Sequence, residues 1–297
     1  MRVFVSGGSG LIGEKLMTSL QASGHEVTQL VRRPVKNDFE RCWDPGVSQL
    51  SASVLEGCEA LIHLSGDNIA SGRWNDAKKK RIRESRVHTT KLLANCISGM
   101  AEPPKSFIVA SAIGYYGDRG DDIMTEESAP GKDFLADVCV EWEQAADPAR
   151  DKTRVVHVRT GVVLSPDGGA LKSMLLPFRL GGGGVVGSGK QYWSWITLDD
   201  SAGLFQFATE NEHVVGPMNG TAPNPVTNKE FTKILGKVLF RPTILPMPEF
   251  AAKLALGEMA EALILASTRV MPEVALQNGY VFKHPTLEQG LRAVLDR

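Results

Sequence analysis

The chain has little that could cross-link it. Its four cysteines, Cys42, Cys58, Cys96 and Cys139, are scattered, with no Cys-x-x-Cys and no metal-ligand spacing. A disulfide framework and a zinc module are excluded as organising elements, no metal is expected, and reduced thiols of a cytoplasmic protein are the expectation. A net charge of −1 gives no electrostatic case for nucleic acid or an anionic membrane. No apolar run approaches the ~20 residues of a membrane span; Ala262-Leu-Ile-Leu-Ala266 suits a packed helix instead. There is no repeat or low-complexity tract, and the first residues already read as a strand, so no targeting segment is expected ahead of it. Tyrosine is also scarce. There are four, Tyr115, Tyr116, Tyr192 and Tyr280, and none is followed by lysine four residues on.

What the chain does have begins at once. Val3-Phe4-Val5 is an apolar, β-rich run that predicts a buried parallel strand. It breaks at Gly7 and resumes as Leu11, Ile12, Leu16, Met17 and Leu20, which is helical spacing. Gly7, Gly10 and Gly13 form Gly-x-x-Gly-x-x-Gly across this strand–turn–helix, the context in which such glycines cradle a dinucleotide. Gly7 permits the turn, Gly10 lets backbone approach a pyrophosphate, and Gly13 lets the helix pack closely. The helix start then offers free N–H groups and a positive dipole end to phosphate.

Glu26 to Val31 predicts the second strand. A fold selective for NAD places Asp or Glu at its end. Here stand Val31-Arg32-Arg33-Pro34, two guanidiniums able to clamp a 2′-phosphate, so NADP(H) is expected in preference to NAD(H). Arg41 to Trp43 predicts a short third strand ending at Asp44, which either accepts from an adenine amino group or initiates the turn before Pro45. Glu59 to Ser65 predicts the next strand, with His63 packed in it and Gly66 letting backbone run beside the cofactor. A long helix is expected from Asp76 to Ser98; Lys78 to Arg86 is read as its solvated basic face, with Arg86 placed to reach a phosphate. Strand Ser106 to Ala110 follows.

That strand runs into Ala110-Ser111-Ala112-Ile113-Gly114-Tyr115-Tyr116-Gly117-Asp118. With the opening motif, this segment resembles the extended short-chain dehydrogenase/reductases, the NAD(P)-dependent epimerase/dehydratase superfamily. Trp74, Ser85-Arg86, Arg159 to Leu164, Pro177 to Gly181, Gly187-Ser-Gly189 and Trp195 to Asp200 extend the resemblance over the whole chain, closest to its "epimerase family protein" (YfcH-like) branch. The resemblance implies a doubly wound parallel α/β sheet (a Rossmann fold). It implies cofactor contacts at Gly7, Ser9, Gly10, Leu11, Ile12, Arg32, Arg33, Leu64, Ser65 and Arg86, and a substrate-side serine at Ser111. One feature is missing: the superfamily's Tyr-x-x-x-Lys, in which lysine activates a tyrosine for proton exchange. The expected helix, Asp133 to Glu143, carries Phe134 and Val138 at such a spacing. Three alternatives follow. Tyr115 or Tyr116 supplies the proton, with Arg119 four residues after Tyr115; or an acid such as Asp118, or one from the second lobe, does; or hydride chemistry is lost and the nucleotide is structural or sensed.

Thr153 to Val158 predicts a sixth strand ending at Arg159, and Gly216 to Gly220 a late one. The glycine-rich stretch between them, with Met174, Leu176, Phe178, Trp193 and Trp195, reads as a mobile substrate lid. Asp199 or Asp200 is expected to cap a helix over 201–209, and Asn228 another; a helical region is expected over 250–266 and a closing helix over 286–295. The expected organisation is a cofactor domain over 1–163 and a smaller substrate lobe over 164–297, some of whose strands rejoin the main sheet. The expected function is NADP(H)-dependent oxidoreduction or epimerase-like chemistry on a small polar or nucleotide-linked substrate; the alternative is a non-catalytic NADP(H)-binding sensor or scaffold. The oligomeric state stays open.

Overall fold

Val3 and Val5 point to one face of the first strand and Phe4 to the other, and the layers follow from that period of two. The computed structural model describes residues 1–296. Seven parallel strands make the sheet: β1 (Arg2–Ser6), β2 (Glu26–Val31), β3 (Glu40–Cys42), β4 (Ala60–His63), β5 (Ser106–Ala112), β6 (Arg154–Thr160) and β7 (Gly216–Gly220). Their spatial order is β7-β6-β5-β4-β1-β2-β3. The chain leaves β1 for β2 and β3 on one side, then returns to lay β4 against β1 on the other. Such a reversal opens a crevice at the carboxyl ends of β1 and β4, where ligands of doubly wound sheets bind.

The helices that cover this sheet are α1 (Leu11–Ala22), α2 (Asp76–Ser98), α3 (Phe134–Gln144) and, after α4 (Gly169–Arg179), α5 (Leu198–Glu210). Leu16 and Leu20 of α1 and Leu204, Phe205 and Ala208 of α5 pack on Val3, Val5, Ile62, Ile108 and Val156. Leu92, Leu93 and Ile97 of α2, with Trp142 of α3, pack on Phe4, Leu61, Phe107 and Val155 from the other face. A third core joins α4, α6 (Asn228–Leu239) and α8 (Leu287–Val294) around Trp193, Trp195 and Phe231. Between them α7 (Glu249–Leu256) buries a single residue, Ala252. Residues 198–220 supply α5 and β7 to the main sheet although they follow position 163.

Several local expectations are corrected. The lid of the sequence reading is not a loose loop: Leu171, Leu175 and Phe178 place α4 on the lobe core, and Trp193 and Trp195 are buried within it. Thr197, not Asp199 or Asp200, caps α5, its hydroxyl accepting from the Asp200 amide. Thr227, not Asn228, caps α6 through a reciprocal box with Glu230. Lys78 is buried, its ammonium donating to Asp67 (2.5 Å), the Asn68 carbonyl (2.6 Å) and Ser71 (2.7 Å), which ties down the loop after β4. No helix among the described residues is long and apolar enough to cross a membrane.

Candidate functional site

At the mouth of the crevice Gly7 has φ of +77°, and a Cβ there would lie 2.7 Å from the Leu64 carbonyl carbon and 2.8 Å from the Ser65 amide. The turn after β1 therefore sits directly against the turn after β4, and only glycine fits. Gly13 is equally confined, its missing Cβ facing the Gly7 carbonyl and Gly8, so α1 packs onto its own entry loop. Gly10 is different. A Cβ there meets only the Gly7 carbonyl, at 3.3 Å, and the side facing outward is open. Gly10 is the N-cap of α1 and offers no side-chain acceptor, so the first-turn amides at Leu11, Ile12 and Gly13 are left to an external acceptor. Exposed Ser9 borders the same opening. These residues suit a pyrophosphate.

The other cofactor candidates divide. Arg32 is exposed at the end of β2. Arg33 is engaged by Glu40 on β3 through two hydrogen bonds, 2.8 and 2.6 Å. That contact, with a further amide from Lys36, pulls the Glu40 carboxyl down to about 2. The two-arginine clamp thus has one free arm, and the carboxylate judged absent from this corner arrives from β3. Asp44 accepts from the Gly46 amide at 2.7 Å, which makes it the turn initiator and turns that oxygen from an adenine. Arg86 lies against Gly66, whose Cβ position is 3.2 Å from the guanidinium carbon; the same guanidinium donates to the Asp67 carbonyl at 3.1 Å and stacks 5.1 Å from the Trp142 ring centre. Burial lowers its basicity. His63 is a core residue, bonded to Ser6 (2.5 Å) and Thr89 (3.0 Å), and burial holds it neutral with a pKa of about 3.

Beyond Ser111 the structure assembles a buried polar cluster that the sequence did not announce. Ser111 donates to Glu143 of α3 at 2.7 Å. Glu143 is gripped by Arg159 at the end of β6 through two bonds, 2.8 and 2.9 Å. The remaining arm of Arg159 donates to the Tyr116 hydroxyl (3.0 Å) and the Glu126 carbonyl (3.2 Å). Burial pushes Glu143 up, but the Arg159 hydrogen bonds outweigh it and hold the carboxyl below its usual range. Burial opposes the charge of Arg159, and Glu143 more than restores it. Charged partners at bidentate geometry are what such desolvation requires.

The cluster places the catalytic candidates in different environments. Ser111 is buried and donates its hydrogen to Glu143, which makes it a link in the cluster. Tyr116 is fully buried; its hydroxyl donates to Asn219 at 2.6 Å, and burial pushes it up to about 12. Tyr115 remains. It is half-buried, its ring face lies 3.5 Å from the Arg159 guanidinium carbon, and its hydroxyl has no hydrogen-bond partner among the described residues. Arg119 does not pair with it, donating instead to the carbonyls of Tyr116, Ala129 and Pro130. Asp118 is exposed and accepts from the amides of Gly120 and Ser267. Phe134 of α3 packs on Trp74 and Lys79. No three metal-ligating side chains converge among the described residues.

Glycine turn, crevice and parallel order together define a Rossmann-type α/β protein. The profile of the NAD dependent epimerase/dehydratase family matches residues 3–219, and one described as a domain of unknown function (DUF1731) matches 247–294. The chain belongs to the epimerase/dehydratase family. It is 41% identical over 292 residues to an epimerase family protein of Mycobacterium bovis, covering 97% of this chain and 96% of that one. The crystal structure of the human epimerase family protein SDR39U1 with NADPH is 38% identical, each chain covered in full, with a TM-score of 0.93. A nucleoside-diphosphate sugar epimerase from Corynebacterium glutamicum is 39% identical with a TM-score of 0.82, over 99% of this chain and 58% of that one. Structures at 14–20% identity that contain NAD share the fold.

Proposed function

We propose that this protein binds NADP(H) across the crevice and acts as an oxidoreductase or epimerase-like enzyme on a small polar or nucleotide-linked substrate, with Tyr115 exchanging the proton. The observation that carries the cofactor half is the uncapped first turn of α1 beneath an open Gly10. The NADPH of the human relative supports the choice of cofactor. Arg32 would meet the 2′-phosphate, while Leu64, Ser65 and Gly66 would run backbone beside the ribose. When bound, NADP(H) supplies or accepts a hydride. The chain's own part is then to orient the substrate and move one proton. Tyr115 is suited to that because its hydroxyl is free and its ring is held from below by Arg159, which Glu143 and the Tyr116 hydroxyl fix in turn.

A second reading is a non-catalytic NADP(H)-binding sensor. The missing Tyr-x-x-x-Lys favours it, since Phe134 and Val138 cannot do that chemistry. One experiment divides the two: oxidation of NADPH by a panel of carbonyl compounds, with wild type and Tyr115→Phe. Turnover by wild type that drops roughly 10²-fold or more in the variant, with NADPH binding kept, is the result expected of a positioned proton donor. Equal turnover would remove Tyr115 from the chemistry. Binding without turnover across the panel would favour the sensor.

A further inference from the structure

The corner where β2 ends is crowded with charge: Arg32, Arg33, Lys36, Asp38 and Glu40. Arg32, Lys36 and Asp38 are exposed, and their side chains have no partner among the described residues. Glu40 differs, with a side chain only 8% exposed and both oxygens engaged. Oε1 accepts from Arg33 at 2.6 Å, and Oε2 accepts from Arg33 and from the Lys36 amide, each at 2.8 Å.

The sheet places this pair beside the glycine turn. Glu40 stands opposite Gln29 of β2, and Gln29 stands opposite Val5 of β1. Residues paired on neighbouring strands share a face, and Val5 and Val27 lie on the face that α1 covers. A Cβ on Gly8 would come within 3.0 Å of the Gln29 side chain, so Gln29 packs against the turn. Glu40 is therefore one strand spacing, ~4.8 Å, from a residue that touches the turn. Arg41 takes the opposite face, its guanidinium 5.0 Å from the Phe4 ring centre and donating to the Ser53 carbonyl.

This pairing changes what Arg33 offers to an anion. One arm of its guanidinium is divided between Glu40 and the Pro34 carbonyl, and the other donates to the second carboxylate oxygen. Glu40, held down to about 2 by Arg33 and the Lys36 amide, stays ionised near neutral pH and balances the arginine. An arriving phosphate meets Arg32 unpaired and Arg33 already neutralised. A ribose with a free 2′-hydroxyl carries no charge and is insensitive to the difference.

We propose that Glu40 is a specificity-determining residue, which withholds Arg33 from the 2′-phosphate and so limits how far NADP(H) is preferred over NAD(H). The assignment rests on the NADP(H) reading above. In folds selective for NAD the acidic residue at the end of β2 binds the ribose hydroxyl directly. Here the carboxylate comes from β3 and acts through an arginine.

Fluorescence titrations of the full chain with NADPH and with NADH test this on wild type, Glu40→Gln, and Glu40→Gln combined with Arg33→Ala. Glutamine keeps an acceptor for the Lys36 amide, so the loop stays tied and the variant should fold as wild type does. Glu40→Gln should bind NADPH roughly three- to fivefold tighter, the scale of one exposed ion pair, and NADH within about twofold of wild type. Adding Arg33→Ala should return NADPH affinity to the wild-type value or below it, because the gain comes from the freed guanidinium. NADPH binding that Glu40→Gln leaves unchanged or weakens would overturn the proposal. So would a gain that survives the loss of Arg33, or one that NADH shares equally. Wild type that binds neither nucleotide would overturn the cofactor reading and this assignment together, whereas selective binding by wild type separates the two.

Discussion

Tyr115 and Tyr116 are neighbours in the chain with opposite environments. The ring of Tyr116 fills a site with no solvent access, and its hydroxyl bridges Asn219 and Arg159. Removing that hydroxyl leaves buried polar groups unpaired, so Tyr116→Phe should cost about 1–3 kcal/mol, read as a lower midpoint in denaturant unfolding. Tyr115→Phe should leave the midpoint within about 0.5 kcal/mol, because its hydroxyl has no hydrogen-bond partner among the described residues. Equal losses would mean that the two hydroxyls are not distinguished in this way. The arginines behave likewise as an unequal pair. Arg33 is spent on Glu40, so Arg32→Ala should reduce the NADPH-over-NADH binding ratio more than Arg33→Ala. A larger effect at Arg33 would show that it leaves Glu40 for the phosphate. The sequence revealed which residues are arginines at this corner, but not that Glu40 on the adjoining strand occupies one of them.

At the scale of elements, legibility followed the range of the interactions. The β1 turn and α1 could be read because apolar spacing and glycines within thirteen residues determine them. So could α2, whose bounds match the expectation. Helix α4 stayed hidden because Gly168, Gly169 and Pro177 are residues that punctuate chains, and only packing of Leu171, Leu175 and Phe178 on the lobe core outweighs them. The caps shifted by one to three residues because Thr197 and Thr227 are the last extended residues before their helices, and their hydroxyls accept from the Asp200 and Glu230 amides. The Ser111–Glu143–Arg159 cluster spans separations of 16 and 32 residues, which no local pattern encodes; a charged residue closing an apolar strand, as Arg159 does, was the one available hint. Asp200 repeats the lesson. Fully buried in the first turn of α5, it accepts from the amides of Lys283 (2.8 Å) and His284 (3.0 Å) and from the Tyr280 hydroxyl, fastening the C-terminal segment to the main sheet. Asp200→Ala should therefore cost roughly 3 kcal/mol, with increased hydrogen exchange in residues 280–284. Unchanged exchange there would mean that the segment is held by its apolar contacts alone.

For the whole molecule, pH and nucleotide are the variables that report on the architecture. Burial pushes His63 down to about 3 and His157 down to about 4, against an ordinary 6.5. Between those values the unfolded chain binds protons that the folded chain refuses. Stability is then fully present above about pH 6.5 and declines as pH falls, by up to ~1.4 kcal/mol per pH unit for each group. Unfolding midpoints measured from pH 7.5 to 4.5 should fall on that side, and a flat profile would mean that one of these rings is not held neutral.

The central claim is that the crevice at β1 and β4 holds NADP(H) on the uncapped start of α1. Parallel fluorescence titrations with NADPH and NADH, on wild type and Gly10→Val, test it most directly. The account predicts tight NADPH binding, weaker NADH binding, and loss of both in a variant that remains folded, because the valine fills the opening that the pyrophosphate needs. Undiminished NADPH binding by folded Gly10→Val, or no binding of either nucleotide by wild type, would contradict it.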